Sequence, residues 1–192
     1  MIHVLYTVNG LRINGMSAVI MQYIDHLSKE DYRFTIFTDE IDPQFIPVLA
    51  SNHVEVIQSH MRRKKQLAYY QELTQVMRTG HFDILHAHGN SATIAVELFA
   101  AKRCGIPMRI AHSHNTTCDH KIIDKILRPV FYDVYTHGVG CGVKAGEWLF
   151  GSHPHIVIRN GVDLTRFRFD AEKRDRIREE LGIAGKTVLG HV

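Results

Sequence analysis

Cysteine is scarce in this 192-residue chain: Cys104, Cys118 and Cys141 are the only three, and no two form a Cys-x-x-Cys pair. Neither a disulfide framework nor a thiolate zinc site is indicated, and a reducing cytosol is the compartment that fits. Also missing is any apolar run of the roughly 18 residues that cross a bilayer. No charged n-region of a secretory signal precedes the first apolar run. Neither sign of charge dominates, with 23 basic and 20 acidic residues and a net charge of +3. That balance permits an anionic ligand or an acidic membrane surface. No element interleaves basic and aromatic residues as a nucleic-acid reader does, so no nucleic-acid partner is expected. What is present, 45% hydrophobic and 22% charged residues, suffices for one well-filled core.

Short apolar runs alternate with segments of helical period. Residues 2–6 read as a strand, followed by a loop with Gly10 and Gly15 and a helix over about 16–28 whose Val19, Ile20, Tyr23, Ile24 and Leu27 share a face. Strands are predicted at 33–38 and 54–57, with Asp42-Pro43 and Pro47 breaking regularity between them. A helix over 66–78 carries Leu67, Tyr70, Leu73 and Met77 on one stripe. Then come a strand at 83–89, a helix over 91–102 and a strand at 109–114. A helix over 119–135 shows two apolar rows, Ile122, Ile126, Val130, Val134 and Ile123, Leu127, Phe131, Tyr135, with a bend at Pro129. A strand at 139–141, a helix at 144–150 and a strand at 156–158 complete the pattern. Strict alternation predicts an α/β fold, a parallel sheet of about seven strands with helices on both faces.

Such sheets bind ligands at the carboxyl ends of their strands. Four of those ends deliver small or hydrogen-bonding residues: Asn9, Gly10, Asn14 and Gly15; His88, Gly89 and Asn90; His114, Asn115 and Thr116; and Asn160, Gly161 and Asp163. The glycine loop before the first helix would offer free backbone N–H groups to an anion. It matches neither G-x-G-x-x-G nor the P-loop pattern, because Met16 stands where a P-loop needs lysine. Its glycines could equally serve tight geometry alone.

Fourteen histidines include three His-x-His pairs, at 86 and 88, 112 and 114, and 153 and 155. On a strand this spacing puts both rings on one face, so a metal site is conceivable. Against it, His86 and His112 read as satisfied core histidines, and no metal is assigned. His114, next to Asn115 and Thr116, suits substrate-hydroxyl or proton handling.

Gly15-Met16-Ser17, residues 83–89, residues 110–115 and Ile158-Arg159-Asn160-Gly161-Val162-Asp163 with Phe167 together resemble the N-terminal half of a GT-B glycosyltransferase of the family-four, retaining type. The Ala-His-Ser-His-Asn stretch at 111–115 is similar to that of the bacterial capsular and exopolysaccharide group. The resemblance implies that residues 1–170 form a Rossmann-like, acceptor-side domain. Residues 171–185 would form a linker helix, and 186–192 the opening strand of a truncated C-terminal nucleotide-sugar domain. The chain would then be a fragment, inactive alone.

By the same resemblance, Gly15 and Met16 would meet the donor phosphate or sugar and His114 would be catalytic. Asn14, His88, Gly89, Asn90, Asn115 and Thr116 would contact the acceptor, with Asn160, Gly161 and Asp163 on the interdomain rim. Ser17 stands where the family often has an acidic residue. No cofactor and no obligatory metal are implied. The partners would be a nucleotide-sugar donor, held through the missing half, and a glycan or lipid-linked acceptor. The basic run Arg62, Arg63, Lys64 and Lys65 is either a solvated patch or a contact to anionic lipid, which would place the protein in the cytoplasm, peripheral on the inner face of the plasma membrane. A sugar-nucleotide epimerase of the same fold and a stand-alone sugar- or phosphate-binding module are the competing readings.

Overall fold

The computed structural model describes residues 1–59, 61, 65–165 and 167–189. Of the basic run, Arg62, Arg63 and Lys64 lie outside the described residues, as do residues 190–192. The chain divides into two compact units, Met1–Asn160 and Gly161–Val192.

The first unit is a seven-stranded sheet. Its strands are β1 (Ile2–Val8), β2 (Tyr32–Thr38), β3 (Glu55–Gln58), β4 (Ile84–Gly89), β5 (Met108–Ser113), β6 (His137–Gly140) and β7 (Ile156–Val157). They lie in the order β3-β2-β1-β4-β5-β6-β7, and every neighbouring pair is parallel. The direction of winding therefore reverses between β1 and β4, the switch point at which open parallel sheets leave a crevice.

Side-chain alternation along β1 divides the core in two. Val4, Tyr6 and Val8 pack with Ile20 and Ile24 of α1 (Gly15–His26) and with Phe34, Ile36 and Leu49, the last on α2 (Ile46–Ser51). Leu5 faces the other way, toward Leu73 and Met77 of α3 (Gln66–Gly80), Leu98 of α4 (Ala95–Arg103), Phe131 of α5 (Lys121–Val134) and Leu149 of α6 (Val143–Phe150). Burial on both faces explains why β1 reads as a largely apolar run. Each fully buried leucine or phenylalanine contributes about 2 kcal/mol relative to exposure.

Three helical details differ from the sequence pattern. Pro43 and Pro47 start short helices instead of breaking structure: a 3-10 turn at Pro43–Phe45, capped by the Asp42 carboxylate on the Gln44 N–H, runs into α2. Proline in a first helical turn forgoes only an N–H that had no partner there. On α3, Leu67 is exposed and Tyr69 takes the core position beside Leu73 and Met77. On α5, Phe131 and Val134 are buried while Ile122, Ile126 and Val130 stand in solvent, and the helix runs through Pro129.

In the second unit, α7 (Ala171–Glu180) starts at Asp170, whose carboxylate accepts the Lys173 N–H at 2.9 Å. It ends at Gly182, in the left-handed region at φ 65°, with the Ile183 N–H returning to the Arg178 carbonyl. Lys186–Leu189, expected to begin a strand, are not in one. A strand needs a neighbour for its backbone groups, and none of the described strands pairs with these residues.

Candidate active site

The loop from β1 to α1 is held at its midpoint. Leu11, fully buried, exchanges backbone hydrogen bonds with the loop after β2, receiving the Asp42 N–H at 2.7 Å and donating to the Glu40 carbonyl at 2.8 Å. Arg12 adds an exposed ion pair to Glu40. Asn14 then caps α1, its side-chain oxygen accepting the Ser17 N–H at 2.9 Å. Ser17 is fully buried and accepts the Arg12 N–H on its hydroxyl, so this position ties the loop to the helix. Gly15 and Met16 form the open first turn, with no acidic residue to offset the positive end of the helix. A side chain built on Gly15 would meet no protein atom within 4 Å.

A cavity of about 310 Å³ opens beside this turn. Asn14, Gly15 and Met16 form one wall, Asn90 after β4 and His114 with Asn115 after β5 form the next, and Asn160 closes it. It lies at the carboxyl ends of β1 and β4, at the switch point. Four carboxamides, one imidazole and a helix N-terminus make a site rich in neutral donors and acceptors, with no carboxylate and no lysine or arginine among the described residues of its lining. One carboxamide oxygen, that of Asn90, is buried without a partner and awaits a donor.

Behind His114 lie three more histidines. His86 Nε2 is 3.1 Å from His112 Nδ1, and His88 Nδ1 is 2.8 Å from His114 Nε2. The two pairs stack as a two-rung ladder: His86 on His88 and His112 on His114, each with ring centroids 4.2 Å apart. Tyr6 of β1 and Tyr23 of α1 pack against its rings. Burial, reinforced by neighbouring imidazoles, pushes the basicity down, to about 3 for His86 and about 2 for His112. His88 falls well below its ordinary value for the same reasons, and burial alone brings His114 to about 4. All four rings are neutral at pH 7.

The expected site residues thus separate. Asn14, Gly15, Met16, Asn90, His114, Asn115 and Asn160 surround one cavity. His88, expected at the acceptor rim, is instead buried at 2% exposure beneath His114, because its strand position points it at α1. Gly89 ends β4 behind the lining and packs against Ile94, and Thr116 is turned out, its N–H given to the Asn115 side chain. Gly161 and Asp163 belong to the second unit, where Asp163 accepts from both the N–H and the hydroxyl of Thr165. His86 and His112 are core residues, but not fully satisfied ones: Nε2 of His112 has no partner.

The profile of Glycosyltransferase Family 4 matches residues 13–140. The chain belongs to that family. EpsF of Bacillus subtilis (strain 168), named as a glycosyltransferase, is 25% identical over 98% of this chain and 53% of its own length. Among solved structures, Anabaena HepE in complex with UDP and glucose superposes with a TM-score of 0.69 at 14% identity, covering 96% of this chain and 51% of that one. A Neisseria meningitidis UDP-GlcNAc 2-epimerase bound to UDP-GlcNAc gives 0.60 at 15%, covering 94% and 53%. These likenesses establish half of a GT-B fold, and the Family 4 chain spans about half the length of the relatives it matches.

Sequence reasoning missed the residues that hold the Asn90 loop. The Trp148 indole donates to the Asn90 carbonyl at 2.8 Å. The Asp124 carboxylate accepts the Ala92 N–H at 2.7 Å and pairs with Arg128 at 2.8 Å. Arg128 also donates to the Trp148 and Leu149 carbonyls and lies over the Trp148 ring. Only the i, i+4 spacing of Asp124 and Arg128 was visible in the chain, and that spacing is common on exposed helices.

Proposed function

We propose that the complete protein moves a hexose from a nucleotide sugar to a lipid-linked or polysaccharide acceptor, retaining the anomeric configuration, and that these residues supply its acceptor side. The observation that carries this reading is the cavity lined by the α1 N-terminus, His114 and four asparagines at the switch point. Carboxamides and a neutral imidazole are suited to sugar hydroxyls, which both donate and accept. The Gly15 and Met16 amides are suited to the charge that grows on a departing diphosphate, where preorganised donors lower the barrier. The unpartnered Asn90 oxygen supports a bound hydroxyl donor. The nucleotide ligands named for HepE and the Neisseria epimerase support a nucleotide-sugar donor.

Turnover is assigned to the complete protein, in which a second half would close the cleft and exclude water. The 111–115 stretch and the likeness to EpsF support a capsular or exopolysaccharide role. A location on the inner face of the plasma membrane is supported by the exposed Ile122, Ile126 and Val130 beside Lys121 and Lys125 on α5, and no helix among the described residues is long and apolar enough to cross a membrane.

The test is product analysis of the full-length protein with a panel of nucleotide sugars and membrane extract, with NMR assignment of the new linkage. A product of retained configuration is expected. Absence of transfer from every donor overturns the proposal, and acceptor-independent interconversion of a UDP-sugar with its epimer would move the assignment to the epimerases of the same fold.

A further inference from the structure

We propose that His86, His88 and His112 form a binding site for a borderline divalent cation, with Zn2+ as the type ion, buried behind the sugar cavity. One ring nitrogen from each of the three lies within 4.8 Å of the other two, and all three residues are buried. A three-imidazole set without carboxylate or thiolate selects ions of the zinc and copper kind over magnesium or calcium. Nitrogens bonded to one Zn2+ at about 2.1 Å stand about 3.4 Å apart in a tetrahedron, so the triad closes by at most about 1.4 Å to bind it.

A second, independent observation points to a ligand. A neutral imidazole has one N–H and one lone pair. His88 and His112 each commit Nδ1 to a neighbouring histidine, and Nε2 of each is buried with no partner. Left empty, those two atoms are orphans whichever tautomer each ring adopts, and a buried polar atom without a partner is destabilising. If Nδ1 carries the proton in both rings, donated to His114 Nε2 from His88, both orphans become lone pairs, and His86 brings the third by turning its Nε2 lone pair from the His112 N–H to the ion as the triad closes. A cation converts those lone pairs into ligands. Metal-bound histidines characteristically donate their other ring N–H in this way. The depressed basicity of the rings adds to this, because no proton has to be displaced at neutral pH.

The site reaches the cavity through one bond. An ion on His88 Nε2 leaves the His88 proton on Nδ1, which obliges His114 to accept at Nε2 and carry its own proton on Nδ1. Cation binding thereby selects the hydrogen-bonding character of His114 in the cavity lining. The ion acts behind the sugar site, setting a proton position without touching substrate.

The test uses the untagged 192-residue chain, stripped with chelator and titrated with Co2+. The expected result is one Co2+ per chain with the intense visible absorption of a four-coordinate ion, displaced by one equivalent of Zn2+. The signal is lost in His112→Gln and in His86→Gln and kept when His153 and His155, the surface pair, are both changed to glutamine. Because the buried substitutions can impair folding, anomalous diffraction at the zinc edge on wild-type crystals grown with Zn2+ gives the deciding view. A peak among His86, His88 and His112 supports the site. Zinc found only elsewhere, or no bound zinc, overturns it, as does a four-coordinate Co2+ spectrum that survives in folded His112→Gln.

Discussion

His88 Nδ1 stands 2.8 Å from His114 Nε2, and this bond is the route by which the buried face of the sheet meets the cavity. His114 belongs at once to the ladder of imidazoles between the sheet and α1 and to the lining of the cavity. Its neighbours in the ladder contribute through it, so the consequences of the buried rings can be measured separately from those of the rim.

The first consequence is acid sensitivity. His86, His88 and His112 take up protons near pH 6.5 in the unfolded chain. In the folded chain His86 does so only near pH 3 and His112 near pH 2. Between those values the unfolded state binds more protons, so the chelator-treated protein is most stable above pH 6.5 and loses stability as pH falls. His86 and His112 each account for about 2 kcal/mol by pH 5, and His88, lowered for the same reasons, adds in the same direction. Urea midpoints at pH 7, 6 and 5 check this, and a flat series would contradict it.

Trp148→Phe keeps most of the ring packing and removes the indole N–H from the Asn90 carbonyl. The expected loss is about 1 kcal/mol in stability, since a part-buried acceptor is left without its donor. Thermal melts give that cost. Acceptor KM in the full-length protein should rise more than kcat falls, because the loop that presents Asn90 is loosened.

Arg128→Met leaves Asp124, only 6% exposed at its side chain, as an uncompensated charge. A loss of about 3 kcal/mol is expected. Adding Asp124→Asn, which can still accept the Ala92 N–H, should restore part of it. A double-mutant cycle by denaturant unfolding measures the coupling, and simple additivity would show that the pair does not act as a unit.

Gly15→Val tests the cavity wall. No protein atom lies near the added side chain, so the change in stability should stay within about 1 kcal/mol, the scale of a helix-propensity difference. Transfer activity of the full-length protein should fall at least about tenfold if a phosphate or sugar approaches the backbone there. Melting temperature and initial rate, measured on the same preparation, distinguish a blocked site from a damaged fold.

The architecture was legible in the sequence because the central strands are buried on both faces and the helices are not. β1 is a largely apolar run, and β4 and β5 are short segments whose apolar residues alternate with buried histidines, while α1 carries one apolar stripe, and period and length separate the two kinds of segment. The same alternation pointed to the strand carboxyl ends, and there Asn14, Gly15, Met16, Asn90, His114, Asn115 and Asn160 do meet. Local chemistry reached as far as the Asn14 cap, whose partner is three residues away.

Only the tertiary structure decided which rim residues face the cavity and which lie behind it. Whether Leu67 or Tyr69 enters the core, and whether the Ile122 row or the Phe131 row of α5 is covered, depends on where neighbouring helices end, which no stripe on a single helix records. The histidines show the limit most plainly. His-x-His spacing says that two rings share a face of one strand. The pairing of His86 with His112 and His88 with His114 depends on the register of β4 against β5, set by contacts 26 residues apart in the chain. The sequence by itself determined a parallel α/β half with a polar rim; the register of two strands and the packing of α1 over them decided that the rim's histidine rests on three buried ones.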